Sequence, residues 1–323
     1  MIANSDANFP SDDSKPSMTV LQQLYGAMPA AMLQELREHT RAYLANESNR
    51  GQYDRAQGYS EHALTERSRT LLEEYVSDQE RKWAEMGPMV ERSLGRTPRQ
   101  ILIVGSSIGP SVATLSYRYP DADILGCEVE PEAVRVAQTL LAMRPRCRFA
   151  IEPIETLNAP PRTFDLVECT NVLEHVTSPV AAIKRMAELM EPGGLLLFTC
   201  PNYLFPREPH ANCWRLPGAP RALLKLQLTL MGKDSGFVDH LQLKVNTIRV
   251  KRWLSASGVT EIIDLNESKI HSILLGDSNG KAAPRLVGAI KRLRLERLVA
   301  LLLNYVPMTP SVLLLAKKPL THS

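Results

Sequence analysis

No run of about 18 consecutive apolar residues occurs in this chain, so no membrane-spanning helix is expected. The N-terminal stretch MIANSDANFPSDDSKPS lacks the charged-then-apolar pattern of an export signal, which makes a soluble, cytoplasmic protein the expectation. An excess of one charge is also missing. With 38 basic and 35 acidic residues the formal charge is +3, so general polyanion-binding character does not follow and nucleic acid is not expected as a partner. The five cysteines, Cys127, Cys147, Cys169, Cys200 and Cys213, form no C-x-x-C pair and mostly lie in or beside apolar runs. They read as buried free thiols in a reducing compartment, not as a zinc or disulfide framework.

The 323 residues suffice for about two domains, and 44% hydrophobic residues for a sizeable core. Residues 1–17, rich in Ser, Asp, Asn and Pro, read as a disordered leader. Residues 18–98 read as a helical N-terminal region. Val20, Leu24, Met28 and Ala31 repeat at helical spacing, and a second, looser series runs through Leu64, Leu71, Tyr75, Trp83, Met86 and Val90, with Gly87-Pro88 expected to kink or break it.

From Gln100 onward, strand-like and helix-like segments alternate, the pattern of βαβ units around a parallel sheet. Strands are expected at 100–104, 122–128, 148–151, 164–170, 195–200, 259–265 and 311–317, with helices at 111–119, from Pro131, from Ser178-Pro179, and at 247–257 before Gly258. The main domain is thus 99–318. Insertions at 201–245 and 266–310 form a helical cap that chooses the substrate.

The chemistry begins at QILIVGSSIGP, residues 100–110, a strand covered on both faces and ending in a glycine-bracketed turn. The turn, Gly105, Ser106, Ser107, Ile108 and Gly109, departs from G-x-G-x-x-G at Ser107 and Pro110, which weakens a dinucleotide reading. Glu128, 19 residues past Gly109 and ending the second strand, sits where a carboxylate accepts the hydrogens of a ribose diol. Without full accommodation for a pyrophosphate, the pair suits an adenosine ligand that carries no phosphates. A turn of this kind also occurs as plain strand-to-helix geometry.

Five segments together resemble one family. ILIVGSSIG, LGCEVEPEAV, FDLVECTNVLEHV, EPGGLLLFTCPN and HLQLKVNTIRVKRWLSASGV are similar to the class I S-adenosylmethionine-dependent methyltransferases, over roughly residues 100–265. The nearest likeness is to the small-molecule branch that includes the ubiquinone-pathway O-methyltransferases. The resemblance implies a Rossmann-like, seven-stranded, mostly parallel sheet and S-adenosylmethionine as cofactor. It also implies a small, apolar or aromatic acceptor methylated on oxygen. Cofactor contacts would come from Gly105, Ser106, Ser107, Gly109, Glu128, Val129, Ile154, Glu155 and Asn171. Ile103, Ser107 and Pro153 depart from the family pattern, and a non-catalytic methyltransferase-like binding protein or a nicotinamide-dependent oxidoreductase stand as alternatives.

Methyl transfer needs the acceptor held in line and deprotonated, and positioning alone supplies roughly 7–11 kcal/mol of the barrier. A histidine is the natural base for a hydroxyl. His175 and His240 resemble the family's site histidines. Each has a plain structural reading beside the catalytic one. The acid-x-x-Glu-His metal group of some quinone-pathway members corresponds to Asn171, Glu174 and His175; with one carboxylate missing, no metal is assigned. The basic, leucine-rich stretches 221–233 and 285–303 read first as amphipathic helices covering the core. For 285–303 the resemblance also allows peripheral membrane contact, and a homodimer contact is a further option.

Overall fold

The computed structural model describes residues 18–45, 61–266 and 309–320, together with 292 and 294. The expected leader, nearly all of the second insertion and almost the whole 285–303 stretch lie outside the described residues.

Helices α1 (Val20–Ala27), α2 (Ala30–Ala45) and α3 (Glu61–Leu94) precede the sheet. Thr19 caps α1 with a reciprocal pair of bonds: its hydroxyl accepts from the Gln22 amide, and the Gln22 side chain accepts from the Thr19 amide. The α3 face formed by Leu71, Leu72, Val76, Trp83, Met86 and Val90 is fully buried, each side chain contributing about 1.5–3 kcal/mol. That packing accompanies the outcome at Pro88, where of the kink or break expected the break does not occur and α3 continues through the proline. Gly87 leaves room for the Arg118 guanidinium against the helix backbone, where a Cβ would collide with it, and Arg118 also pairs with Glu91 at 2.8 Å. Tertiary contact outweighs the one backbone hydrogen bond that proline removes.

The sheet order is β3-β2-β1-β4-β5-β9-β8, with β1 (Gln100–Val104), β2 (Asp123–Glu128), β3 (Cys147–Ile151), β4 (Phe164–Thr170), β5 (Met190–Pro201), β8 (Glu261–Asp264) and β9 (Ser311–Lys317). The first five strands pair in parallel, and β9 runs antiparallel between β5 and β8. Strands one to four match expectation to within about a residue; β5 begins earlier, at Met190. Helices α4 (Pro110–Arg118), α5 (Pro131–Leu140), α6 (Pro179–Leu189) and α8 (Thr247–Ala256) fill the connections. Ser178 caps α6 and Asn246 caps α8 through side-chain oxygens.

The chain winds from β1 outward to β3, then returns to β4 on the other side of β1, so β1 and β4 flank a topological switch point. Asp165 fixes the opposite end of this pair. Buried in β4, it accepts from the amides of Arg99 at 2.8 Å and Gln100 at 3.1 Å and from the Arg96 guanidinium at 2.5 Å, tying the end of α3 to the start of β1.

The first insertion contains more order than its sequence pattern announced. A two-stranded hairpin, β6 (Arg207–Glu208) and β7 (Cys213–Trp214), and a short 3-10 helix, Gly236–His240, flank α7 (Arg221–Leu230), which falls within the stretch 221–233 expected to be helical. Among the described residues no helix is long and apolar enough to cross a membrane, and all five cysteines are free thiols, four of them buried.

Candidate active site

The crevice opens at the carboxyl ends of β1 and β4. On the β1 side, Gly105 and Gly109 take left-handed conformations (φ +68° and +91°), and Ser107 joins them at φ +48°. A Cβ on Gly105 would run into Val172, so this glycine is needed both for its torsion and for the close approach. At Gly109 a Cβ would stand 3.0 Å from that of Ala137, which lets the turn press against α5. Gly126 similarly admits Ser106, whose side chain lies 2.8 Å from where a Cβ would be. The Ser106 hydroxyl is buried and has no partner.

Glu128, half-buried at the end of β2, accepts three backbone amides: Ser107 at 2.9 Å, Val129 at 2.7 Å and Glu130 at 3.1 Å. A carboxylate offers about four lone-pair directions, so about one remains for a ligand hydroxyl. Val129 beside it is 63% exposed and presents an apolar surface. Asn171 follows β4 at φ +53°, exposed, its amide bonded to Thr199 carbonyl at 2.8 Å. These expected contacts converge on one crevice. Ile154 and Glu155, expected as contacts through the Ile154 backbone and the Glu155 side chain, lie in the 3-10 turn after β3; the Ile154 side chain is buried in the core, and the Glu155 carboxylate accepts the Ser178 amide at 3.2 Å, at the start of α6.

An adenosine-type cofactor fits this cradle. The orphaned Ser106 hydroxyl and the remaining acceptor direction on Glu128 are polar features without an internal use.

The β4–β5 side carries a second group. His175 and His210 meet edge to face, with ring centroids 5.3 Å apart, and Phe237 lies 5.9 Å from His210. His210 Nδ1 is 2.6 Å from the buried Glu208 carboxylate, which also accepts the His210 amide at 3.2 Å. Burial works against a proton on His210, but the hydrogen bond and charge of Glu208 outweigh it and its pKa is raised. His175 is pushed down to about 4 by the surrounding protein and then by the charge of His210, although its side chain is 42% exposed. Glu174 is fully buried, neither oxygen accepts a hydrogen bond although His175 Nε2 lies 3.9 Å from Oε1, and burial pushes its carboxyl up to about 7. The Tyr203 hydroxyl is likewise buried and unpartnered, and Arg215 lies over its ring at 4.9 Å.

His240 ends the 3-10 helix, exposed, and enters the group only through the charge it would add beside His175. Glu208 and His210 were not legible in the sequence. An acid and a histidine two apart in a stretch without periodicity carry no signal until the β6–β7 turn carries them to the end of β4. Among the described residues, ligand atoms of Glu174, His175 and His210 lie within 4.8 Å of one another, close enough to share a cation.

Residues 102–198 match the model of a family described as "Methyltransferase domain". The switch point and the glycine turn both lie within this matched segment. Among curated proteins, an uncharacterized protein of Mycobacterium tuberculosis is 45% identical over 51 residues, covering 16% of this chain and 17% of that one. A ubiquinone biosynthesis O-methyltransferase of Albidiferax ferrireducens is 32% identical over 128 residues, 39% of this chain and 48% of the relative. The chain thus spans about half, or less, of the length of these relatives. A solved phosphoethanolamine N-methyltransferase 2 of Haemonchus contortus is similar over 73% of this chain and 53% of that one, at 16% identity and a TM-score of 0.44.

Proposed function

We propose that this chain transfers the methyl group of S-adenosylmethionine to a hydroxyl of a small, apolar or aromatic acceptor. When bound, S-adenosylmethionine supplies an electrophilic methyl on a sulfonium. The chain's own residues would do the rest. Glu128 accepts a ribose hydroxyl, the backbone of Gly105–Gly109 follows the ligand's curve, and Val129 lies along an apolar ring face.

The single observation that carries the oxygen reading is the Glu208–His210 pair facing His175. With Nδ1 held by Glu208, His210 has Nε2 left to take a hydroxyl proton, and Glu208 stabilises the imidazolium so formed. His175, held neutral, serves as a hydrogen-bond partner that orients the acceptor. His240, at the rim, is a secondary candidate. An apolar acceptor is supported by the groove behind Arg215, a cavity of about 330 Å³ lined by Leu216, Leu223, Leu226, Leu230 and Met231.

A radiolabelled methyl-transfer screen against phenolic, catecholic and aliphatic hydroxyl acceptors tests the reading. Transfer to a hydroxyl that is lost in His210→Ala supports it; transfer only to nitrogen or carbon acceptors refutes the oxygen assignment. Binding of S-adenosylhomocysteine with no turnover on any acceptor would instead favour the non-catalytic alternative, which the departures at Ile103, Ser107 and Pro153 motivate.

A further inference from the structure

Beneath the glycine turn lies a buried polar group that the reading above does not use. Glu168 stands in β4 in register with Ile103 of β1, two residues before Gly105, and in a parallel pair such partners face the same side of the sheet. Its side chain is 1% exposed. One oxygen, Oε1, contacts Lys82 Nζ from α3 and lies 3.2 Å from both the Ser111 and Thr170 hydroxyls. The other, Oε2, is buried without a partner. Lys82 Nζ also reaches Thr170 Oγ1 at 2.8 Å, and Ser111 donates to Gln79 Oε1 at 3.0 Å.

This group is bracketed by the ligand-facing segments. Ser111 is the second residue of α4, just after the turn, and Thr170 immediately precedes Asn171. A buried carboxylate oxygen left without a donor carries a desolvation penalty, and Glu168 Oε2 bears it without relief from any described residue. A purely structural ion pair would be expected to satisfy both oxygens, as Asp165 does with its three donors.

We propose that the Lys82–Glu168 pair is the recognition site for the zwitterionic amino-acid end of the cofactor. Glu168 Oε2 accepts from the α-ammonium. Lys82, with the hydroxyls of Ser111 and Thr170, faces the α-carboxylate. One cation and one anion side by side match a zwitterion and reject a ligand whose corresponding end is uncharged or singly charged. The helical N-terminal region thereby contributes directly to the cofactor site, through a residue that lies outside the matched domain. This inference rests on the cofactor reading above.

Calorimetry with two ligands tests it: S-adenosylhomocysteine, which carries the amino-acid end, and 5′-methylthioadenosine, which lacks it. The wild type is expected to bind the first more tightly. Glu168→Gln and Lys82→Met are each expected to weaken S-adenosylhomocysteine by roughly 10- to 100-fold, the loss of one charge-assisted hydrogen bond, while 5′-methylthioadenosine stays within about twofold. Retained 5′-methylthioadenosine binding also certifies that the variants are folded. The inference is overturned if either variant weakens both ligands equally, if neither variant weakens either ligand, or if the wild type does not distinguish the two. A wild type that binds neither ligand overturns the cofactor reading itself, and this inference with it.

Discussion

The Ser107 amide donates a 2.9 Å hydrogen bond to the Glu128 carboxylate. A serine at the turn's middle position, where a glycine would be usual in a nucleotide-binding turn, therefore does not leave the loop unformed. Its positive φ turns the amide toward β2, and the loop and the acid become one unit. Glu128 is thus the clamp on the turn as well as the acceptor proposed for the ligand.

Glu128→Ala should accordingly abolish S-adenosylhomocysteine binding by calorimetry while the protein stays folded. The three freed amides lie near solvent, so the stability cost should be limited to about 1–2 kcal/mol in urea melts. Unchanged affinity would remove Glu128 from the cofactor site.

Gly105→Ala should cost about 1–3 kcal/mol, because its φ of +68° is unfavourable to an L side chain and a Cβ meets Val172. Adding Val172→Ala should recover the steric part and leave the torsional part. A double variant no more stable than Gly105→Ala would show that the contact with Val172 is not the cause.

The proton-transfer pair predicts a split between chemistry and binding. His210→Ala and the isosteric Glu208→Gln should lower kcat by roughly 10²- to 10⁴-fold with S-adenosylhomocysteine affinity unchanged. His240→Ala should lie within a few-fold of wild type, given its exposure. A larger loss at His240 than at His210 would reverse the assignment of the base.

Dialysis against EDTA is expected to leave the rate unaltered, in keeping with a cluster that handles protons. Loss of activity restored by added Mg²⁺ or Mn²⁺ would assign the Glu174–His175–His210 group to a metal ion instead.

Asp165→Ala should be the most damaging of these changes to stability, about 3–5 kcal/mol, since it strands the Arg96 guanidinium and two amides at the start of β1. A midpoint in guanidinium equal to wild type would show that the ties made by Asp165 are dispensable.

Much of this molecule could be read along the chain. Runs such as Ile101–Val104 and Phe164–Thr170 are apolar over a strand's length because both faces of the sheet are covered, and the alternation with helices forces a parallel core. The glycine turn and Glu128 were legible because they belong to one short βαβ unit. Reading failed where partners lie far apart. Gly87-Pro88 was expected to kink or break α3; the helix is not broken there, and Arg118 packs against Gly87 in the space a Cβ would fill.

What the sequence by itself determined, then, is the order of the sheet's strands and of the helices between them, the glycine turn and the acid that clamps it, because these depend on local periodicity and on torsions within a few residues. What only the tertiary structure decided is which acids and bases meet. Glu208 and His210 reach His175, and Lys82 reaches Glu168 across 86 residues of chain. Such pairings are set by how the insertion and α3 pack on the sheet, and nothing in the spacing of those residues encodes that packing.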